Sequence, residues 1–281
     1  MKKQITIFFA LFIMTTAFSQ DKKVYISFGP GIGLGTARTY ELYADGNNVL
    51  IENNFKTEKI VNPIGLGKGL NLNFRAGYFV NNFMAIELGV VYRLGFGTKF
   101  DMEPGSGSLK ATYNSGTNKY SSNMFQLVPA LVISPVTVGS KIRPYARIGI
   151  IVGVLPTILI KSDLINASGT INYLTTFKYY GSVAVGGSMA IGCDFNLSEL
   201  LAIYAEIYYD ALSFTPAKGK FTKYEENGKD MLPDMTKDQG KILYEKDITN
   251  YRPAVGEPRQ MLKKSYPLNS AGLNFGVKIK L

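Results

Sequence analysis

The sequence contains no histidine and no tryptophan, only one cysteine, and no long apolar run beyond its first residues. Without histidine it lacks the usual general base at neutral pH and the commonest metal ligand. A serine–lysine device or a carboxylate pair remains formally open. Glu206 and Asp210 share a face, but four residues along a strand separate them by roughly 13 Å. Two-carboxylate glycoside chemistry works at separations up to about 9.5 Å. No enzymatic activity, catalytic residue, cofactor site or metal site is therefore expected. The lone Cys193 can form no internal disulfide and belongs to no metal-type pair. A spanning helix needs roughly 20 apolar residues, and past Phe18 glycine or a polar residue interrupts every apolar stretch. If the chain enters a membrane, it does so as strands.

The N-terminus reads as an export signal. Lys2 and Lys3 form a basic start, an apolar run covers 5–18, and Ala17-Phe18-Ser19 offers small residues for cleavage before Gln20. Residues 1–19 are thus expected to be a cleaved signal peptide and 20–281 the mature protein. Removing Lys2 and Lys3 leaves 29 basic against 21 acidic residues, a formal charge of +8. These lysines and arginines are scattered among acids along the chain, which suits solvated loops better than a nucleic-acid groove. No nucleic-acid partner is expected.

The patterning has period two. In the C-terminal segment Ala271, Leu273, Phe275, Val277, Ile279 and Leu281 alternate with Ser270, Gly272, Asn274, Gly276, Lys278 and Lys280. Residues 201–213 set Leu201, Ile203, Ala205, Ile207 and Tyr209 against Tyr204, Glu206, Tyr208 and Asp210, and 84–96 behave likewise around Glu87 and Arg93. Weaker alternation over 24–37, 70–80, 123–134, 143–160 and 177–195 brings the count to about eight, an even number, as single-chain outer-membrane barrels require. Pro129 and Pro156 lack a ladder donor, so each predicts a bulge or a strand end.

Short links, near Asn81-Asn82 and over 135–142 and 196–200, alternate with long polar ones over 39–68, 99–122, 161–176 and 215–266. A transmembrane barrel sorts its connections this way, with short turns on the periplasmic side and long loops outside. In the first long loop 40–43 and 49–52 flank Asp45-Gly46-Asn47-Asn48, which predicts a hairpin. The expected fold is therefore all-β: a closed antiparallel up-and-down transmembrane barrel of about eight strands in the outer membrane, its apolar faces against lipid.

So narrow a barrel is filled by its own side chains. Arg75, Glu87, Arg93, Arg147, Lys178, Glu206 and Asp210 lie on inward faces by parity and are expected to form an ion-pair network plugging the lumen. A gated ion path through the same residues is the alternative. Small residues from Gly29 to Gly35 leave room for arginine side chains; no helix follows these glycines, so they are not read as a dinucleotide fingerprint. Tyr78, Tyr92, Phe96, Tyr145, Phe195, Tyr209 and Phe214 lie near strand ends, as interfacial girdles do, or pack as ordinary strand residues.

With its export signal, alternating loops and terminal strand Gly272-Leu273-Asn274-Phe275-Gly276-Val277-Lys278-Ile279-Lys280-Leu281, the mature chain resembles small outer-membrane β-barrels typified by the transmembrane domain of outer-membrane protein A and by the PorT-like barrels of Bacteroidota. That strand is similar to the signal read by the barrel-assembly machinery, although it ends in leucine where an aromatic is usual. The resemblance implies outer-membrane lipids and that machinery as partners. The leading expectation is a structural anchor whose extracellular loops meet an extracellular or membrane protein partner, for interaction or adhesion. A narrow, porin-like channel or small-solute transporter is the alternative. The PorT-like resemblance alone implies an accessory role in secretion.

Overall fold

The computed structural model describes residues 23–39, 49–52, 57–60, 64–102, 113–135, 141–166, 168–248 and 256–281. The expected signal peptide, residues 40–48 of the first loop hairpin, and parts of the loops 39–68, 99–122 and 215–266 lie outside the described residues.

Eight strands make up the wall: β1 (Val24–Gly35), β2 (Gly69–Phe79), β3 (Met84–Gly95), β4 (Tyr113–Ile133), β5 (Ile142–Asn166), β6 (Ala184–Asn196), β7 (Leu201–Phe214) and β8 (Ser270–Lys280). Each pairs antiparallel with its neighbours in sequence, and β8 pairs with β1, so the ring closes. At the seam Tyr25 stands opposite Lys280 and Gly35 opposite Ser270, and the Leu281 amide donates to the Val24 carbonyl at 2.8 Å. Both termini of the barrel, the short links 80–83 and 197–200, and the strand ends Ile133 and Ile142 lie at one end, so the long connections leave from the other. Ser198 tightens the last short link by accepting the amide hydrogens of Leu200 and Leu201.

β4 has 21 residues and β5 has 25, roughly twice the 10 or so that a tilted strand needs to cross a membrane. Their surplus builds a sheet above the barrel. Thr98–Met102 pairs with the top of β4, the top of β4 with the top of β5, and that in turn with Asn172–Tyr180. Lys218–Glu226, Lys241–Glu245 and Arg259–Leu262 follow in order. The connection 161–176 is consequently not a loop: Lys161 to Asn166 complete β5, and a turn leads into the return strand. Backbone groups beyond the membrane still seek ladder partners, and polar residues such as Ser162 do not prevent it. The alternating stretch 177–195 is two strands, broken at Gly181, whose φ is +95°. In the first long connection Val49–Glu52 pairs with Thr57–Ile60; the other arm of the expected hairpin, 40–43, lies outside the described residues.

The two prolines behave differently. Around Pro156 the β4–β5 register slips between Asn123 and Phe125, and Leu155 adopts φ +53°: a bulge. Pro129 sits opposite Leu88 with neither a bulge nor a strand end. Its bridges to β5 are skipped, and the same register resumes at Ala130.

A candidate functional site: the filled lumen and the sheet above it

In the lower part of the barrel, below the long extensions of β4 and β5, outward positions on all eight strands are apolar or small. Phe28, Phe74, Leu88, Leu127, Ile148, Ile191, Ile207 and Phe275, one from each strand, are all exposed to the surroundings, and no charged side chain points outward from the wall between Ile26 and Leu34 of β1 or between Leu201 and Ala211 of β7. The latter run, tilted about 40°, makes a belt roughly 26 Å tall, comparable to the ~30 Å hydrocarbon core of a bilayer. Of the aromatic positions singled out above, Tyr78, Phe96, Phe195 and Tyr209 belong to this exposed surface, whereas Tyr145 and Phe214 are buried inside. Their parity places them on the inward face.

Inside, the charges balance. The buried ionisable residues of opposite sign, among the described residues, are Arg75, Arg93, Arg147 and Lys278 against Glu87, Asp194, Glu206 and Asp210. They form three groups. Nearest the short links, Lys278 Nζ contacts both oxygens of Asp194 at 2.8 and 2.6 Å and lies 4.8 Å from the ring centres of both Tyr25 and Tyr145. In the middle, Glu206 accepts from Arg75 at 2.7 Å, Arg147 at 2.8 Å, Tyr145 at 2.8 Å and Asn274 at 2.8 Å. Glu87 joins this group by accepting from Tyr25 at 2.8 Å and Arg147 at 3.4 Å. Higher up, Arg93, wholly buried, donates to Asp210 at 2.6 Å, Asn71 at 3.2 Å and the Leu268 carbonyl at 3.2 Å. Ser188 donates to the other Asp210 oxygen at 2.8 Å.

The strand period accounts for this assembly, because every member sits at an inward position of its strand. Strand tilt then staggers neighbouring side chains so that acids meet bases between strands. Between the middle and upper groups lies a polar cavity of about 20 Å³, room for about one or two waters. Gln126 Nε2 and Arg147 Nε, two donors without a protein partner, belong to residues that line it.

Six of the seven charged residues singled out from the sequence lie in these groups. Lys178 does not. It belongs to Asn172–Tyr180 in the upper sheet, half-buried with its ammonium 5.8 Å from the Tyr180 ring centre. The cause is the break at Gly181, which ends that strand before the barrel begins. Asp194 and Lys278 were not among the charges singled out for the lumen, although parity marks both as inward and Lys278 falls on the polar face of the C-terminal alternation. The tyrosine hydroxyls and asparagine amides that complete the network carry no charge signal. The inward glycines of β1 also make room for something other than arginine. A methyl group at Gly31 would sit 1.7 Å from Asn274 Oδ1, and one at Gly33 would sit 2.3 Å from the Tyr208 hydroxyl.

Above the ion pairs an apolar core closes the mouth. Met124, Val128, Ile151, Ile158, Leu212, Phe214 and Leu268 from the wall and its links meet Phe177, Tyr179, Ile242 and Tyr244 from the upper sheet. The Tyr179 ring centre lies 5.9 Å from that of Tyr244 and 5.7 Å from that of Tyr266. The sheet is thus folded over the barrel on a core of its own.

Solved structures of known proteins resemble this chain. Neisserial surface protein A is similar over 93% of this chain and 98% of its own, with 10% identity and a TM-score of 0.39. Outer membrane protein W of E. coli is similar over 92% and 97%, with 13% identity and a TM-score of 0.34. By name one is a surface protein and the other an outer-membrane protein. The eight-stranded closure described here rests on this chain's own strand pairing. No protein-family model and no curated protein sequence matches it.

Proposed function

We propose that the protein is an outer-membrane barrel that does not conduct and that serves as an anchor, holding a folded extracellular sheet for interaction with an outside surface or partner. The observation that carries this reading is the occupied interior: four acids and four bases pair across the lumen, and an apolar core lies above them. An ion crossing this path would have to part several desolvated ion pairs, each costly to break. The charge-free outer belt supports the membrane setting, since only a closed barrel satisfies strand backbones in lipid. No catalytic role is proposed.

The test has two parts. An epitope inserted at the Asn227-Gly228 turn of the upper sheet is expected to bind antibody on intact cells. Purified barrel in planar bilayers is expected to remain electrically silent. An epitope reached only after lysis would sink the display reading. Steady single-channel currents that change with Arg93→Ala would favour the channel instead.

A further inference from the structure

Along the sequence the lysines look dispersed, but the register of the upper sheet lines them up. Lys99 stands directly opposite Lys119, and Lys119 directly opposite Lys161. Across the next strand the row steps by two residues: Lys161 faces Thr176, and Lys178 faces Lys220, which faces Lys241. Six consecutive strands each contribute one lysine to a single row. It lies on the outward face, since the alternate residues Ile158, Ile160 and Phe177 enter the core.

Like charges directly opposite one another destabilise a sheet, and here four such pairs occur, two on each side of the step. Among the described residues only Lys99 of the six has a carboxylate within ion-pair distance, Asp101 at 3.2 Å. The row also begins where the apolar belt ends. Val183 and Val185 are exposed on the wall just below. Tyr180 follows, with the ammonium groups of Lys178 and Lys220 at 5.8 and 5.6 Å from its ring centre. An amphipathic ring flanked by ammonium groups, close in sequence to an exposed apolar surface, is the arrangement that meets a headgroup layer.

We infer that this lysine row binds the phosphate groups of lipids in the leaflet at which the upper sheet emerges. The inference rests on the proposed membrane setting. Phosphate held along the row would neutralise the opposed lysines and seat the sheet against the membrane surface, where each lysine near an anionic layer adds to the attraction.

The test uses the full mature protein in nanodiscs of phosphatidylcholine with and without phosphatidic acid, with lipid retained on detergent extraction read by mass spectrometry. The wild type is expected to retain phosphatidic acid preferentially. The triple variant Lys161→Gln, Lys178→Gln, Lys220→Gln is expected to lose that preference by about tenfold or more. A control with Lys229→Gln, Lys237→Gln and Lys246→Gln, exposed lysines outside the row, is expected to keep it. Equal retention of both lipids by the wild type would overturn the inference. So would a preference displaced equally well by inorganic phosphate, which would mark a site for soluble anions, or by single-stranded DNA, which would mark a general polyanion surface. Heat-dependent electrophoretic mobility of the same samples reads the barrel separately: a shift without lipid preference overturns only the lysine row, and no shift overturns the spanning barrel with it.

Discussion

At Glu206 two guanidinium groups, a tyrosine hydroxyl and an asparagine amide converge on one buried carboxylate. Removing that carboxylate strands Arg75 and Arg147 without their main counter-charge, and leaving a buried charge unpaired commonly costs about 3–5 kcal/mol. Glu206→Ala is therefore expected to lower unfolding stability by about that much, read by urea titration of the vesicle-inserted barrel. Lys278 and Asp194 behave as a more isolated pair. Lys278→Met alone is expected to cost a similar amount, whereas Lys278→Met with Asp194→Leu should be close to neutral or stabilising, because replacing both members of a buried pair removes their desolvation cost. A double variant as unstable as the single one would show that the cation's contacts with Tyr25 and Tyr145 matter more than the pairing.

At the scale of elements, the bulge at Leu155-Pro156 marks where β5 leaves the barrel ladder with β6 and continues as the ladder with Asn172–Tyr180. Leu155 carries a left-handed backbone that costs a non-glycine residue roughly 1–2 kcal/mol, and its side chain is 74% exposed. Leu155→Gly is expected to gain about 0.5–1 kcal/mol, since part of the relieved strain is returned as unfolded-chain entropy; a loss in the same urea titration would mean that the leucine packs against lipid or a partner. Period two made the eight wall strands legible from sequence, because each has one face in lipid-like surroundings and one in a polar interior. It failed above the belt. There both faces of Asn172–Tyr180 mix polar and apolar residues, so Lys178 was assigned to the wrong compartment. Of the lumen charges, six were legible from strand parity; Asp194, at the end of the weakly alternating stretch 177–195, and Lys278, next on its face to the equally charged Lys280, were not singled out.

For the whole molecule, closure depends on the pairing of β8 with both β1 and β7. A chain ending at Asn269 would leave two unpaired edges that lipid cannot satisfy. It is expected to lose the heat-dependent mobility shift of the closed form entirely, and to recover it if the missing segment is supplied as a peptide that pairs at the gap. A truncated chain that still shifts would mean that seven strands can close.

The same seam imposes an order in time. Tyr25 and Lys280 are some 255 residues apart in sequence, so the ring cannot finish until β8 has arrived, and contacts so distant in sequence form slowly. Until then the apolar outer faces of seven strands belong to an open sheet, and β1 and β7 each lack the neighbour that only β8 supplies.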